Sequence, residues 1–157
     1  MALPFEKLGC TLLFFAGHQD GRYISGHLGD GLQVLVSGKQ EDVSVFSHPE
    51  NGRCKYETYF VTSFDAQSHL RLKRGVLQGT GAVLLMSDGA ADCLYNSADG
   101  TVANGCRVIA SWLRQWSEKA VEEALRENMA EQFSLMTADD MSLSVILWEA
   151  NEEDREV

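Results

Sequence analysis

Four Asp-Gly pairs punctuate the chain, at Asp20, Asp30, Asp88 and Asp99. An Asp-Gly pair is first of all a tight turn, because glycine tolerates positive φ. Asp20 and Asp99 lie in polar stretches of turn-forming residues and read as turns alone. Asp30 and Asp88 each directly follow a strand-like segment, and Asp88 ends the most apolar one, so its carboxylate should be held on a rigid element at the rim of the core. Asp139 and Asp140 stand in the mirrored position, just ahead of a closing apolar segment. If the strands of Asp88 and Asp139 are antiparallel neighbours, the end of one lies beside the start of the other and the carboxylates converge. Converging carboxylates repel, and they persist mainly where a cation or a shared proton offsets the repulsion. Magnesium and manganese suit that need, since both prefer oxygen ligands and magnesium keeps several waters. Acidic residues at strand ends are also common solvated punctuation, and spacing alone leaves both readings open.

The elements that must position these aspartates follow from pattern. Cys10 to Ala16 reads as a buried strand, closed by the Gly17-His18-Gln19-Asp20-Gly21 turn. Arg22 to Leu28 and Leu32 to Val36 continue an antiparallel meander on either side of Gly29-Asp30-Gly31. Ser47 to Gly52 is loop-like, Tyr56 to Ser63 is β-rich in composition, and His69 to Lys73 alternates as a half-exposed strand does. Ala82 to Met86 predicts a central strand buried on both faces. Val108, Ile109, Trp112, Leu113 and Trp116 share the spacing of one helical face, with Asp99 and Thr101 as candidate caps. After Ser117, a second amphipathic helix runs through Val121, Ala124, Leu125, Met129 and Phe133. Met141 to Trp148 reads as the closing strand. Strands in succession, then two helices, then one returning strand is an α+β order, with sheets packed together and helices on an outer face.

Composition narrows the partners. The chain has 157 residues, 45% hydrophobic, enough for one core and too few for two domains. With 23 acidic against 13 basic side chains and a formal charge of −10, it should repel nucleic acid. A phosphorylated substrate would be repelled as well, unless a bound cation met it. No stretch approaches the roughly 20 apolar residues of a membrane span, and the N-terminal run lacks the marks of a secretion signal. A cytoplasmic location follows, with Cys10, Cys54, Cys93 and Cys106 widely spaced and reduced. His18, His27, His48 and His69 read as ordinary surface or satisfied core residues.

The segments Leu84-Leu85-Met86-Ser87-Asp88-Gly89-Ala90-Ala91-Asp92 and Ala138-Asp139-Asp140-Met141-Ser142-Leu143-Ser144-Val145-Ile146 resemble the late motifs of the metal-dependent type 2C protein Ser/Thr phosphatases. In that family a strand ends in "SDG", and a later "DNMT" opens the last strand. His27-Leu28-Gly29-Asp30-Gly31 is similar to the family's "GDS" step, and Gly9-Cys10-Thr11-Leu12-Leu13 to its "GST" strand opening. Pro49 to Gly52 with Glu57 to Ser63 is similar to a bacterial branch. The resemblance implies an αββα sandwich of antiparallel sheets with flanking helices. It implies Mn2+ or Mg2+, two or three ions in the complete family site, with Asp88 and Asp139 as ligands and Asp30 joining Asp88 at a third, weaker metal. Ser87, Gly89 and Asp140 would stand beside these ligands. The implied reaction is hydrolysis of phosphoserine or phosphothreonine in a phosphoprotein by metal-activated water, without a protein nucleophile.

The departures from the family pattern shape the expectation equally. Asp140 stands where the motif has Asn, and Gly31 where it has Ser. The family's early phosphate-gripping Arg and its metal-bridging Asp-Gly aspartate have no counterpart here, and Arg22, Arg53 and Arg71 sit in no matching motif. The expected organisation is therefore a phosphatase-like domain over 1–148 lacking the N-terminal segment of the family, followed by an acidic tail over 149–157. A sandwich incomplete on its N-terminal side exposes sheet edges and apolar faces, through which the chain should self-associate. Weak or absent activity is expected of the chain by itself, and a non-catalytic phosphatase-like binding or regulatory module is the alternative.

Overall fold

The computed structural model describes residues 4–38, 41–52 and 57–149. After a short 3-10 turn at Phe5–Leu8 come β1 (Leu12–Gly17), β2 (Arg22–Leu28), β3 (Leu32–Ser37) and β4 (Asp42–Ser47). Next are α1 (Ala66–His69), β5 (Arg71–Val76), β6 (Thr80–Met86), α2 (Asp88–Leu94), β7 (Tyr95–Asn96) and β8 (Thr101–Val102). The chain ends with α3 (Gly105–Gln115), α4 (Glu118–Glu131), a 3-10 turn at Phe133–Leu135 and β9 (Leu143–Glu149).

The strands form two antiparallel sheets. The first is ordered β1-β2-β5 and the second β4-β3-β6-β9, while β7 and β8 make a small hairpin. Period-two alternation sorts the second sheet's side chains. Leu32, Val34 and Val36 of β3, with Ala82, Leu84 and Met86 of β6, form one apolar cluster with Ile109 and Ala110 of α3. Gln33 of β3 turns the other way, to the first sheet, where it meets Ser25. Cys106, Ile109 and Ala110 are the buried face of α3, at the three- and four-residue spacing of a helix, and Val121 anchors α4. Ser117 caps α4 by accepting from the Ala120 N–H. The α3 and α4 layer lies on the side of the second sheet. On the outer face of the first sheet Ile24, Leu72 and Val76 stay exposed.

The α+β class, the antiparallel sheets, the doubly buried β6 and the closing strand agree with the sequence reading. Several local expectations are corrected. The run at Cys10 to Ala16 becomes β1, which is half-exposed because it is a sheet edge. Of the β-rich stretch, Tyr56 lies outside the described residues, and Glu57 to Ser63 makes only an isolated bridge, Thr58 to Asn51, before a run of turns. Asp99 and Thr101 do not cap α3. Asp99 accepts from the Thr101 N–H and hydroxyl to close the β7–β8 turn, and Asn104 precedes the helix. Phe133 falls in the 3-10 turn beyond α4. β4, α1 and the β7–β8 hairpin were not foreseen. Glu149 completes β9, and the rest of the expected tail lies outside the described residues, as do Arg53 and Cys54. Cys10, Cys93 and Cys106 are free thiols, and burial pushes that of Cys106 up to about 12.

Candidate functional site

One end of the sandwich gathers the aspartates. Leu32 pairs with Met86 and Met86 with Leu143, so the start of β3, the end of β6 and the start of β9 meet there. Asp30 precedes β3, Asp88 follows β6, and Asp139 leads into β9. Glycine makes the approach possible at two points. A Cβ on Gly31 would sit 2.7 Å from the Met86 carbonyl oxygen and 2.6 Å from a Leu13 methyl carbon, so the Asp30 turn lies directly on the end of β6. A Cβ on Gly89 would sit 2.6 Å from the Asp140 carbonyl oxygen and 3.1 Å from Asp139 Cβ.

Ser87 ties two of these segments together. Its N–H donates to the Ser142 carbonyl at 3.0 Å, and its hydroxyl accepts from the Ser142 N–H at 2.9 Å. The same hydroxyl donates to the Asp140 carbonyl at 3.3 Å. Asp88 opens α2, a helix where the sequence reading expected a turn, and accepts from the Gly89 N–H at 2.9 Å. Asp139 accepts from the Asp140 N–H at 2.9 Å. Asp88, Asp139 and Asp140 are exposed, and Asp30 is half-buried.

The electrostatics report the convergence. Burial raises the pKa of Asp30 above the usual carboxylate range, and the charges of Asp88 and Asp139 raise it further. The backbone N–H of Asp30 and the Thr58 hydroxyl oppose that shift. Thr58 Oγ1 is buried beside Asp30 but makes no aligned hydrogen bond among the described residues. Three mutually repelling, all-oxygen groups are a suitable donor set for a hard divalent cation. Their number in one sphere falls short: among the described residues no three His, Cys, Asp or Glu side chains close on a single point. The set fits such an ion in chemistry, with most of its coordination left to water.

Of the two described arginines named above, only Arg71 stands at this end. Arg22 is bound to Asp20 at the opposite end of the sandwich. Arg71 lies beside His27, its Nε 3.2 Å from a Glu50 carboxylate oxygen and its Nη1 donating to the His48 carbonyl, while Nε and Nη2 make no aligned hydrogen bond among the described residues. His27 is a buried core residue bonded to Ser47, as expected of a satisfied histidine on one nitrogen only; Nε2 has no partner among the described residues. The sequence reading missed Glu50 and Thr58, which both touch the Asp30 turn. Glu50 N–H donates to the Gly29 carbonyl at 3.0 Å. The Pro49-Glu50-Asn51-Gly52 loop signal was legible, but nothing in it gave the direction in which the loop folds.

No helix among the described residues is long and apolar enough to cross a membrane. Comparison with known proteins finds no match among curated proteins. The fold is similar to two solved structures. PppA, described as a key regulatory component of T6SS in Pseudomonas aeruginosa, aligns at TM-score 0.60 and 17% identity over 90% of this chain and 58% of that one. The catalytic domain of the serine threonine protein phosphatase PstP, in complex with 2 manganese ions, aligns at TM-score 0.55 and 18% identity over 91% of this chain and 59% of that one. The chain thus spans less than two thirds of the length of either, and at such identity the likeness shows the fold alone. The sequence itself matches Protein phosphatase 2C over residues 2–138, a stretch that includes Asp30, Ser87 and Asp88 and stops one residue before Asp139. By that match, across most of its length, the chain belongs to the protein phosphatase 2C family.

Proposed function

We propose that the chain is a metal-dependent protein Ser/Thr phosphatase-like domain, with Asp88 and Asp139 as its principal ligands for Mn2+ or Mg2+ and Asp30 as a weaker third. The observation that carries this reading is geometric: the start of β3, the end of β6 and the start of β9 meet at one end of the sandwich, with Asp30, Asp88 and Asp139 on the segments that adjoin them. Bound ions would supply the positive charge that offsets phosphoryl oxygens and activates water. The chain's own contribution is positional. Ser87 fixes the loop that carries Asp139 against the start of α2, and Gly89 leaves room for that loop to approach. The substrate class is a phosphoprotein, and the acidic surface disfavours nucleic acid. The domain is assigned to the cytoplasm, as a phosphatase-like module over 1–148.

Calorimetric titration with MnCl2 tests the reading. Binding should be present in the wild type and lost in Asp88→Asn and in Asp139→Asn. No heat up to millimolar metal, or unchanged binding in Asp88→Asn, would overturn it. Hydrolysis of p-nitrophenyl phosphate with Mn2+ should be slow, since fewer than three acidic ligands reach one point among the described residues. That shortfall also favours a second reading, a non-catalytic regulatory module. Metal binding with no turnover selects the second reading. Self-association through the apolar outer face of the first sheet is part of either. Sedimentation should show species larger than one chain, reduced by Leu72→Lys, and a strict monomer would exclude it.

A further inference from the structure

The residues around the Asp30 turn form a brace with its hub outside the aspartate cluster. Residues 50–52 and 57–59 form two limbs, joined by the Asn51–Thr58 bridge and by the Gly52 N–H donating to the Glu57 carbonyl at 2.6 Å. Both limbs touch the turn. The first reaches it through the Glu50 N–H to the Gly29 carbonyl. The second reaches it through Thr58, whose buried hydroxyl oxygen would lie 3.2 Å from a Cβ on Gly29. Gly29 itself has φ +105°, and Thr11 fills the space beside it, so the turn cannot move towards β1.

His69, at the end of α1, holds both limbs from behind. Its Nδ1 lies 2.9 Å from Glu50 Oε1, and its ring stacks on that of Tyr59 with centroids 3.4 Å apart and planes 12° from parallel. Nε2 faces Asp65 Oδ2 at 3.4 Å, which anchors the ring to its own helix, and Arg71 Nε lies 3.2 Å from the other oxygen of Glu50 as an ion pair. An exposed histidine has no need of three partners. This one is one-quarter exposed, and two of the groups it touches each belong to a limb that ends on the Asp30 turn.

We propose that His69 is a positioning residue for Asp30, clamping the Glu50 and Thr58 limbs onto the Gly29–Asp30 turn. The consequence for metal binding rests on the reading of Asp30 given above, whereas the clamp itself does not. Hydrogen exchange and Mn2+ titration of the full chain separate the two. In His69→Ala the Glu50 amide should exchange at least about tenfold faster while the β6 amides keep their protection. His69→Asn, which retains a donor at the Nδ1 position, should keep the Glu50 amide slow, and His69→Phe, which retains only the stack, should not. Mn2+ affinity should fall roughly tenfold in His69→Ala, the scale found when residues that orient ligands are removed. In an Asp30→Asn background, His69→Ala should have no further effect on affinity. Unchanged exchange at Glu50 in His69→Ala overturns the clamp. An equal loss of affinity with and without Asp30 overturns its aim at Asp30. A wild type that binds no Mn2+ overturns the metal reading, and the exchange result still decides the clamp.

Discussion

The two faces of the second sheet are both buried and yet built from different chemistry. Towards the helices it presents Leu32, Val34, Val36, Ala82, Leu84 and Met86, an uninterrupted apolar layer. Towards the first sheet Val83 and Leu85 stand on the face of Gln33, and the layer it meets is stitched by directional bonds as well. Ser25 donates to Gln33 Oε1 at 2.7 Å, Gln33 Nε2 donates to the Gly26 carbonyl at 2.9 Å, and His27 Nδ1 lies 2.9 Å from Ser47 Oγ. Lys73 and Arg71 donate to the Phe46 and His48 carbonyls. Apolar burial stabilises without fixing direction, whereas a buried bond is costly in every register but one. Both faces bury apolar side chains, and the inter-sheet face adds directional bonds to them. The inter-sheet face sets how the first sheet lies on the second, and with it where the Gly29–Asp30 turn ends up.

Four outcomes would sharpen or break that contrast. Leu84→Ala, at a position with no exposure, should cost about 2–5 kcal/mol in urea unfolding, the range for a large-to-small change in a packed core. A cost below that of Gln33→Ala would reverse the contrast. His27 supplies the next largest effect, through pH. Burial first and then the charge of Arg71 lower its pKa from 6.5 to about 4, with Lys73 adding a smaller lowering and the Gly29 and Gly31 backbone opposing. Between these values the unfolded chain binds the proton and the folded chain does not. The stability from a neutral His27 is therefore complete above pH 6.5 and is lost as pH falls towards 4, on the order of 3 kcal/mol in all. Urea midpoints across that window should drop more steeply for the wild type than for His27→Gln, and parallel curves would remove the effect.

Gln33→Ala comes third. It leaves the Ser25 hydroxyl and the Gly26 carbonyl without their partner, a cost of about 1–3 kcal/mol, and should loosen the amides around the Asp30 turn more than those of α3 in hydrogen exchange. Equal loosening in both places would deny the inter-sheet face its positional role. Ser117→Ala removes only the cap of α4 and should cost about 1 kcal/mol, read as a shift in urea midpoint with little change at the aspartates.

The same contrast explains what was legible in the sequence. The apolar layer announces itself, since β6 is a plain run of Ala, Val, Leu and Met and α3 shows Ile109 and Trp112 at helical spacing, so the central strand and both long helices were found. The aspartates were found because each closes or opens such a run. Inter-sheet bonds leave no comparable trace: a glutamine between Leu32 and Val34 reads as surface until the first sheet is in place. β4 was missed because Asp42, Ser44 and Ser47 dilute its valines on an edge, and α2 because Asp-Gly-Ala-Ala has the composition of a turn. The clamp at His69 was illegible for a simpler reason, since its partners Glu50, Tyr59 and Asp65 come from a loop whose course is set by tertiary contacts.

The bonds of Ser87 have a kinetic meaning as well. Its hydroxyl joins residues 53 and 55 positions further along the chain, and the intervening stretch contains α2, the β7–β8 hairpin, α3 and α4. Closing so long a loop carries an entropy cost that local helix formation does not, so the segment bearing Asp139 should dock only after the helices have formed and packed. The meeting of Asp88 with Asp139 is then a late event in folding, and a probe placed at that corner would report completion of the fold rather than its beginning.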